Sequence, residues 1–181
     1  MIKTRYELKS IIKKEKALYF HQGEIKQKIV CSKNAIIFKY QKYLRKEEYY
    51  INQKKNIFNI LCIIYYKRKK NRLGQKLGFD IPANCFDSGL RIYHVAPVTV
   101  NKDARIGKNC SIFGNVCIGV SDSGVPSIGN NCTLGYGSKV IGGVKIANNC
   151  IIGAGSVVTK SVEEEYSRIA GIPAKRLWEV N

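Results

Sequence analysis

The chemistry in this chain gathers around one histidine. In "GLRIYHVAPVTVN" (residues 89–101), His94 stands among alternating aliphatic residues, where the pattern asks for Val or Ile. Imidazole, with an unperturbed pKa of about 6.5, is neutral at physiological pH and competent to take a proton from a hydroxyl. The chain has one other histidine, His21, so a zinc centre built on three histidines is out of reach. The seven cysteines are odd in number and form no CxxC pair. That argues against a disulfide framework or a zinc site and for a reducing, cytoplasmic setting. No metal is expected.

The elements that must position His94 are legible from residue 100 onward. Aliphatic residues fall at Val100, Ile106, Ile112 and Ile118, then at Ile128, Leu134, Val140, Ile146, Ile152 and Val158. The period is six, broken once between Ile118 and Ile128. Four residues after each aliphatic except Ile118, which leads into the break, stands a mostly small side chain: Ala104, Cys110, Val116, Cys132, Ser138, Val144, Cys150, Ser156 and Val162. This double repeat predicts a triangular parallel coil, with three flat faces making one turn of about eighteen residues. His94 lies one hexapeptide before Val100, which predicts a place in register with the interior aliphatics. Cys110, Cys132 and Cys150 take the small interior position as compact apolar filler. The four extra residues fall in "GVSDSGVPSIG" (119–129), which predicts a loop over 119–127. The period ends after Val158.

The first half has a different texture. Lys and Arg outnumber Asp and Glu by 21 to 6 in residues 1–80, or +15, and by 10 to 7 in residues 81–181, or +3. Ser32 predicts the cap of a helix with an apolar face of Ile36, Ile37, Tyr40, Tyr43 and Leu44. A second helix carries Ile57, Ile60, Leu61, Ile64 and Tyr65 on one stripe and is expected to end near Gly74. Basic residues flank the stripe at Lys54 and Lys55 and in "KRKKNR" (67–72). Basic clusters beside an apolar stripe favour peripheral contact with an anionic membrane, placing the protein at its inner face. No motif supports specific nucleic-acid binding. The start, "MIKTRYELKS", is too polar for a secretory signal, and the apolar run "IFNILCIIYY" (57–66) is about half a membrane span. The organisation expected is a basic helical segment over 1–78, a hexapeptide coil over 79–162 and a tail over 163–181.

The hexapeptide coil, its single loop and the segments "LGFDIPANCF" (77–86), "GVPSIGNNCTLGYGSKVIGG" (124–143), "IIGAGSVVTKSV" (151–162) and "IAGIPAKRL" (169–177) carry a resemblance. The chain resembles the hexapeptide-repeat acyltransferases, within them the serine acetyltransferase group and its relatives that acetylate sugars of surface polysaccharides. "YLRKEEYY" (43–50) is similar to the helical lead-in of the latter. The resemblance implies a mainly β fold, a left-handed parallel β-helix with an N-terminal α-helical segment, assembled as a homotrimer with sites between subunits. It implies acetyl-CoA as co-substrate and His94 as catalytic base, with Asp80 as the carboxylate partner; on the chemistry of the residues, Asp87 is the second choice for that partner. It places Gly135, Gly137, Gly153, Ala154 and Gly155 along the CoA arm, and Lys160, Lys175 and Arg176 at the nucleotide phosphates.

The sequence departs from the serine enzymes' pattern in three places. Tyr93 stands where they have Asp, Val125 where they have a second His, and Phe113 where polysaccharide relatives often have His. Those departures favour a sugar hydroxyl of a polysaccharide precursor as acceptor, with L-serine, as in cysteine biosynthesis, the alternative. Two other classes remain as alternatives: a metal-dependent carbonic anhydrase, which lacks its histidines here, and a non-enzymatic membrane or nucleic-acid binding module.

Overall fold

The computed structural model describes residues 1–20, 24–30 and 32–177, apart from the side chain of Lys28. His21 and Cys31 lie outside the described residues. The chain divides into two compact units, Met1–Phe79 and Asp80–Asn181.

The first unit holds α1 (Arg5–Tyr19), α2 (Glu24–Ile29), α3 (Lys33–Ile51) and α4 (Ile57–Leu77). Each long helix begins at a polar cap that accepts an otherwise unpaired backbone N–H. Thr4 caps α1 in a reciprocal box with Glu7, while Ser32 caps α3 and Asn56 caps α4. The middle helix, α3, packs against the other three. Its buried side includes Ile37, Tyr40 and Leu44, as the apolar spacing predicts, with Tyr43 only half-buried.

The buried side of α3 also carries charge. Arg45, 1% exposed, binds Glu15 of α1 at 2.7 Å and Glu48 at 2.8 Å. Lys70 of α4 binds Glu47 at 2.9 Å. One expectation for α4 fails. It runs past Gly74 and ends at Gly78, in the left-handed conformation with φ 75°. Gly74 answers to packing instead, since a Cβ there would lie 2.5 Å from the Phe79 carbonyl oxygen. The stripe of Ile57, Ile60, Leu61, Ile64 and Tyr65 is exposed. The helix packs with its other side, through Asn59, Cys62, Ile63, Tyr66 and Lys70.

The second unit is a parallel solenoid with three faces. One face stacks β1 (Phe79–Asp80), β3 (Val98–Val100), β6 (Val116–Gly119), β9 (Lys139–Ile141) and β12 (Val157–Val158). The second stacks β4 (Arg105–Ile106), β7 (Ser127–Ile128) and β10 (Lys145–Ile146). The third stacks β2 (Arg91–Ile92), β5 (Ser111–Ile112), β8 (Thr133–Leu134), β11 (Ile151–Ile152) and β13 (Arg168–Gly171), with β14 (Ala174–Arg176) antiparallel at its edge.

The coil therefore continues past Val158. Strand β13 pairs in register with β11 and adds a turn within the segment expected to be tail. Every aliphatic of the six-residue series is buried, from Val100 to Val158. Burying an Ile or Val side chain contributes about 1.5–3 kcal/mol, so this column is the main apolar support of the unit. Stacked asparagines at one corner join the turns. The Asn109 amide donates to Asn131 and the Asn131 amide to Asn149, both at 2.9 Å.

Cys110, Cys132 and Cys150 stack in the interior beside the aliphatics and are buried. Burial disfavours the thiolate, pushing Cys132 up to about 11 and raising Cys110 and Cys150 as well. A thiol reagent added to native protein should therefore leave these three unmodified, while half-buried Cys62 and Cys117 react first. Mass spectrometry of labelled peptides reads this directly. Rapid labelling of all three in folded protein would contradict the interior register.

Candidate active site

His94 is on the outside of the coil. The interior position of its strand is taken by Ile92, which pairs with Ile112. The next face begins with Val98 paired to Val116. The corner joining the two strands is thus Tyr93–Pro97, against Phe113–Asn115 one turn later: five residues in place of three. The two additional residues push the corner outward and leave the imidazole exposed. This corrects the interior register expected for His94. Counting back by six from Val100 misses an insertion at the corner before it.

The same corner recurs down the stack. Tyr93 N–H donates to Ile112, Phe113 to Leu134, Gly135 to Ile152 and Gly153 to Ile169, all onto carbonyl oxygens. Gly137 N–H donates to Gly114 and Gly155 N–H to Tyr136. Residues 93–97, 113–115, 135–137 and 153–155 therefore form one edge of the solenoid. The fold brings His94 onto one edge with Gly135, Gly137, Gly153, Ala154 and Gly155. With turns spaced by about 4.8 Å, Gly135 lies roughly 10 Å down that edge from His94.

The glycines have structural duties there. A Cβ at Gly135 would meet the Ala154 nitrogen at 2.6 Å, so the turns could not stack as closely. Gly155, at φ 67°, has no atom within 4 Å of where a Cβ would be. Its requirement is conformational, and the space beside it is open.

Aromatic side chains crowd the His94 end. Tyr93 stacks on Phe113 with ring centroids 4.4 Å apart, and Phe113 lies 6.4 Å from the imidazole. The Arg91 guanidinium sits 4.3 Å over the other face of Tyr93. Tyr136 stands two turns down the edge, partly exposed.

Other candidates are elsewhere. Asp80 is exposed on β1, beside β3, the strand into which the His94 corner leads. Asp87 follows a bridge between Phe86 and Ile106, at a corner across a face from His94, and its carboxylate accepts the Ser88 N–H at 2.7 Å. The loop between Gly119 and Ser127 and residue Lys160 occupy the third corner, so neither shares the His94 edge. Lys175 is exposed beside Ala170, at the far end of the glycine edge. Arg176 pairs with Glu164. Among the described residues, no three His, Cys, Asp or Glu gather to hold a metal ion.

Residue types alone do not show the aromatic stack or the buried charges. In the sequence Tyr93 and Phe113 stand only as departures from the family pattern. Their contact follows from a twenty-residue turn, the spacing between paired Ile92 and Ile112.

Residues 126–160 match the family described as bacterial transferase hexapeptide (six repeats). More particularly, the chain resembles the serine acetyltransferase group within the hexapeptide-repeat acyltransferases. It is 36% identical over 80 residues to serine acetyltransferase 5 of Arabidopsis thaliana, covering 41% of this chain and 26% of that protein. It is 30% identical over 112 residues to the serine acetyltransferase of Buchnera aphidicola subsp. Schizaphis graminum (strain Sg), covering 59% and 42%. The chain thus spans less than half the length of either relative. The fold matches the structure of a serine acetyltransferase in complex with coenzyme A from Brucella abortus strain S19. There the TM-score is 0.69 and the identity 19%, over 98% of this chain and 70% of that one.

Proposed function

We propose that this protein is an acetyl-CoA-dependent O-acetyltransferase of the serine acetyltransferase type, with His94 as its base. The observation that carries the reading is the place of His94: exposed, at an outward corner, heading the glycine edge. In the proposed reaction the imidazole takes the acceptor hydroxyl proton as the oxygen attacks the thioester carbonyl. The tetrahedral intermediate then breaks its C–S bond, and the imidazolium returns the proton to the departing CoA sulfur. No covalent enzyme intermediate is needed, so the buried cysteines stay outside the chemistry. The small residues of the edge suit an extended arm lying against backbone, and Lys175 suits a phosphate at its far end. The active assembly is a homotrimer, in which a neighbouring coil completes the groove.

The acceptor best supported is L-serine, because both sequence relatives are serine acetyltransferases. That moves the balance away from the polysaccharide sugar favoured by the residues alone. One observation keeps the sugar as a second reading: the Tyr93–Phe113 stack beside His94. Aromatic faces suit the C–H face of a sugar ring. Thiol release from acetyl-CoA, measured against L-serine, nucleotide sugars and oligosaccharides, tests both. Turnover with L-serine is expected; turnover with sugars alone would establish the second reading. Release with no acceptor on the panel would refute both.

A further inference from the structure

The outer face of α4 carries six large hydrophobic side chains that stand exposed among the described residues. Ile57, Phe58, Ile60, Leu61, Ile64 and Tyr65 are between 41% and 73% exposed. They recur at i, i+3, i+4 and i+7 on one side of the helix, while the packed side is the opposite one. Continuous apolar patches of this kind on a helix mark an interaction surface.

The charges around the patch select the partner. Exposed Lys54 and Lys55 precede it, and exposed Lys67, Arg68, Lys69 and Arg72 follow it. No Asp or Glu occurs between Glu48 and Asp80. Among the described residues none of these six cations forms an ion pair, whereas Lys70, on the packed side, is held by Glu47. Residues 1–79 carry 21 Lys and Arg against 5 Asp and Glu, a net +16.

A second copy seated face to face on this surface would bring two cationic rims together, with no acid between Glu48 and Asp80 to separate them. A nucleic-acid backbone would satisfy the rim and leave six apolar side chains in water. A bilayer with anionic headgroups satisfies both, taking the side chains below the headgroups and the cations at the phosphates. No helix among the described residues is long and apolar enough to cross a membrane, so α4 would lie in the surface plane. We propose that this face of α4 docks the protein onto an anionic lipid surface. The inference stands independently of the acetyl-transfer reading.

Co-sedimentation of the full chain with vesicles tests it. Binding to vesicles containing phosphatidylglycerol should exceed binding to phosphatidylcholine alone by at least about tenfold and weaken as salt is raised. Leu61→Ser with Ile64→Ser should remove most of the binding, and so should Lys67→Gln with Arg68→Gln and Lys69→Gln. All five side chains are exposed, and circular dichroism checks that the helices persist. The wild-type comparison between the two lipids decides the matter even where a variant misfolds. Equal binding to both vesicle types, or none, would overturn the proposal. Binding unchanged by the Leu61 and Ile64 pair would reduce it to a basic patch and overturn it equally. Light scattering is the remaining arm: dimers or higher assemblies that the serine pair dissolves, without lipid binding, would assign the face to a second copy.

Discussion

Replacing His94 by alanine is expected to abolish acetyl transfer while leaving acetyl-CoA binding nearly intact. The imidazole is exposed at an outward corner and supports no core, so its loss should not disturb the coil. A general base is commonly worth about 10²–10⁴ in rate, and an exposed neutral alanine supplies none of it. Single-turnover thiol release, with CoA affinity measured separately by calorimetry, distinguishes lost chemistry from lost binding. Wild-type-like turnover in the variant would remove His94 from the mechanism. The orienting carboxylate is tested beside it. In the proposed mechanism Asp80 orients the imidazole, so Asp80→Asn should slow turnover less than His94→Ala and shift the pH–rate profile. Its place beside β3 favours it over Asp87, which lies across a face from the His94 corner. A larger effect from Asp87→Asn would reverse that order.

Arg45→Ala should produce the largest loss of stability of any single substitution in the helical unit. Arg45, Glu15 and Glu48 are each no more than 2% exposed, and the guanidinium binds both carboxylates. Burial disfavours the Arg45 charge, but Glu48 and Glu15 more than offset it, so its proton is held more tightly than in water. Deleting the arginine leaves two carboxylates buried without a counter-ion, which costs about 3–5 kcal/mol. For a unit of this size that means a fall in Tm of more than about 10 °C, followed by the helical circular-dichroism signal. Arg45→Lys should lie between, since an ammonium cannot present the guanidinium's planar fork to two carboxylates. Replacing all three residues by apolar ones should recover much of the loss. A variant Arg45→Ala with unchanged Tm would show that the ion network contributes little.

The coil was legible because its physics is local and repeated. An interior only one side chain wide forces an aliphatic at each face and a small residue at each corner, so a period of six survives in the letters themselves. The cap at Ser32 is legible for the same reason, since a helix start needs an acceptor within a few residues. Position 94 shows the limit. Two additional corner residues shift the register, and only the pairing of Ile92 with Ile112 reveals that Ile92 points inward and His94 outward. The Tyr93–Phe113 stack also depends on turn length, which a list of residue types does not state.

The amino-acid sequence by itself determined the solenoid, its buried column and the interior place of Cys110, Cys132 and Cys150. Each follows from a residue type meeting a short-range geometric demand. Tertiary structure alone decided which side of α4 and which charges of α3 are buried. The Ile57–Tyr65 stripe has the spacing of a core face, yet α4 packs on its other side, where Lys70 meets Glu47. Helical spacing fixes which residues share a face. Whether that face is covered depends on neighbours distant in the chain, and here Glu15, thirty residues before Arg45, makes the burial of charge tolerable.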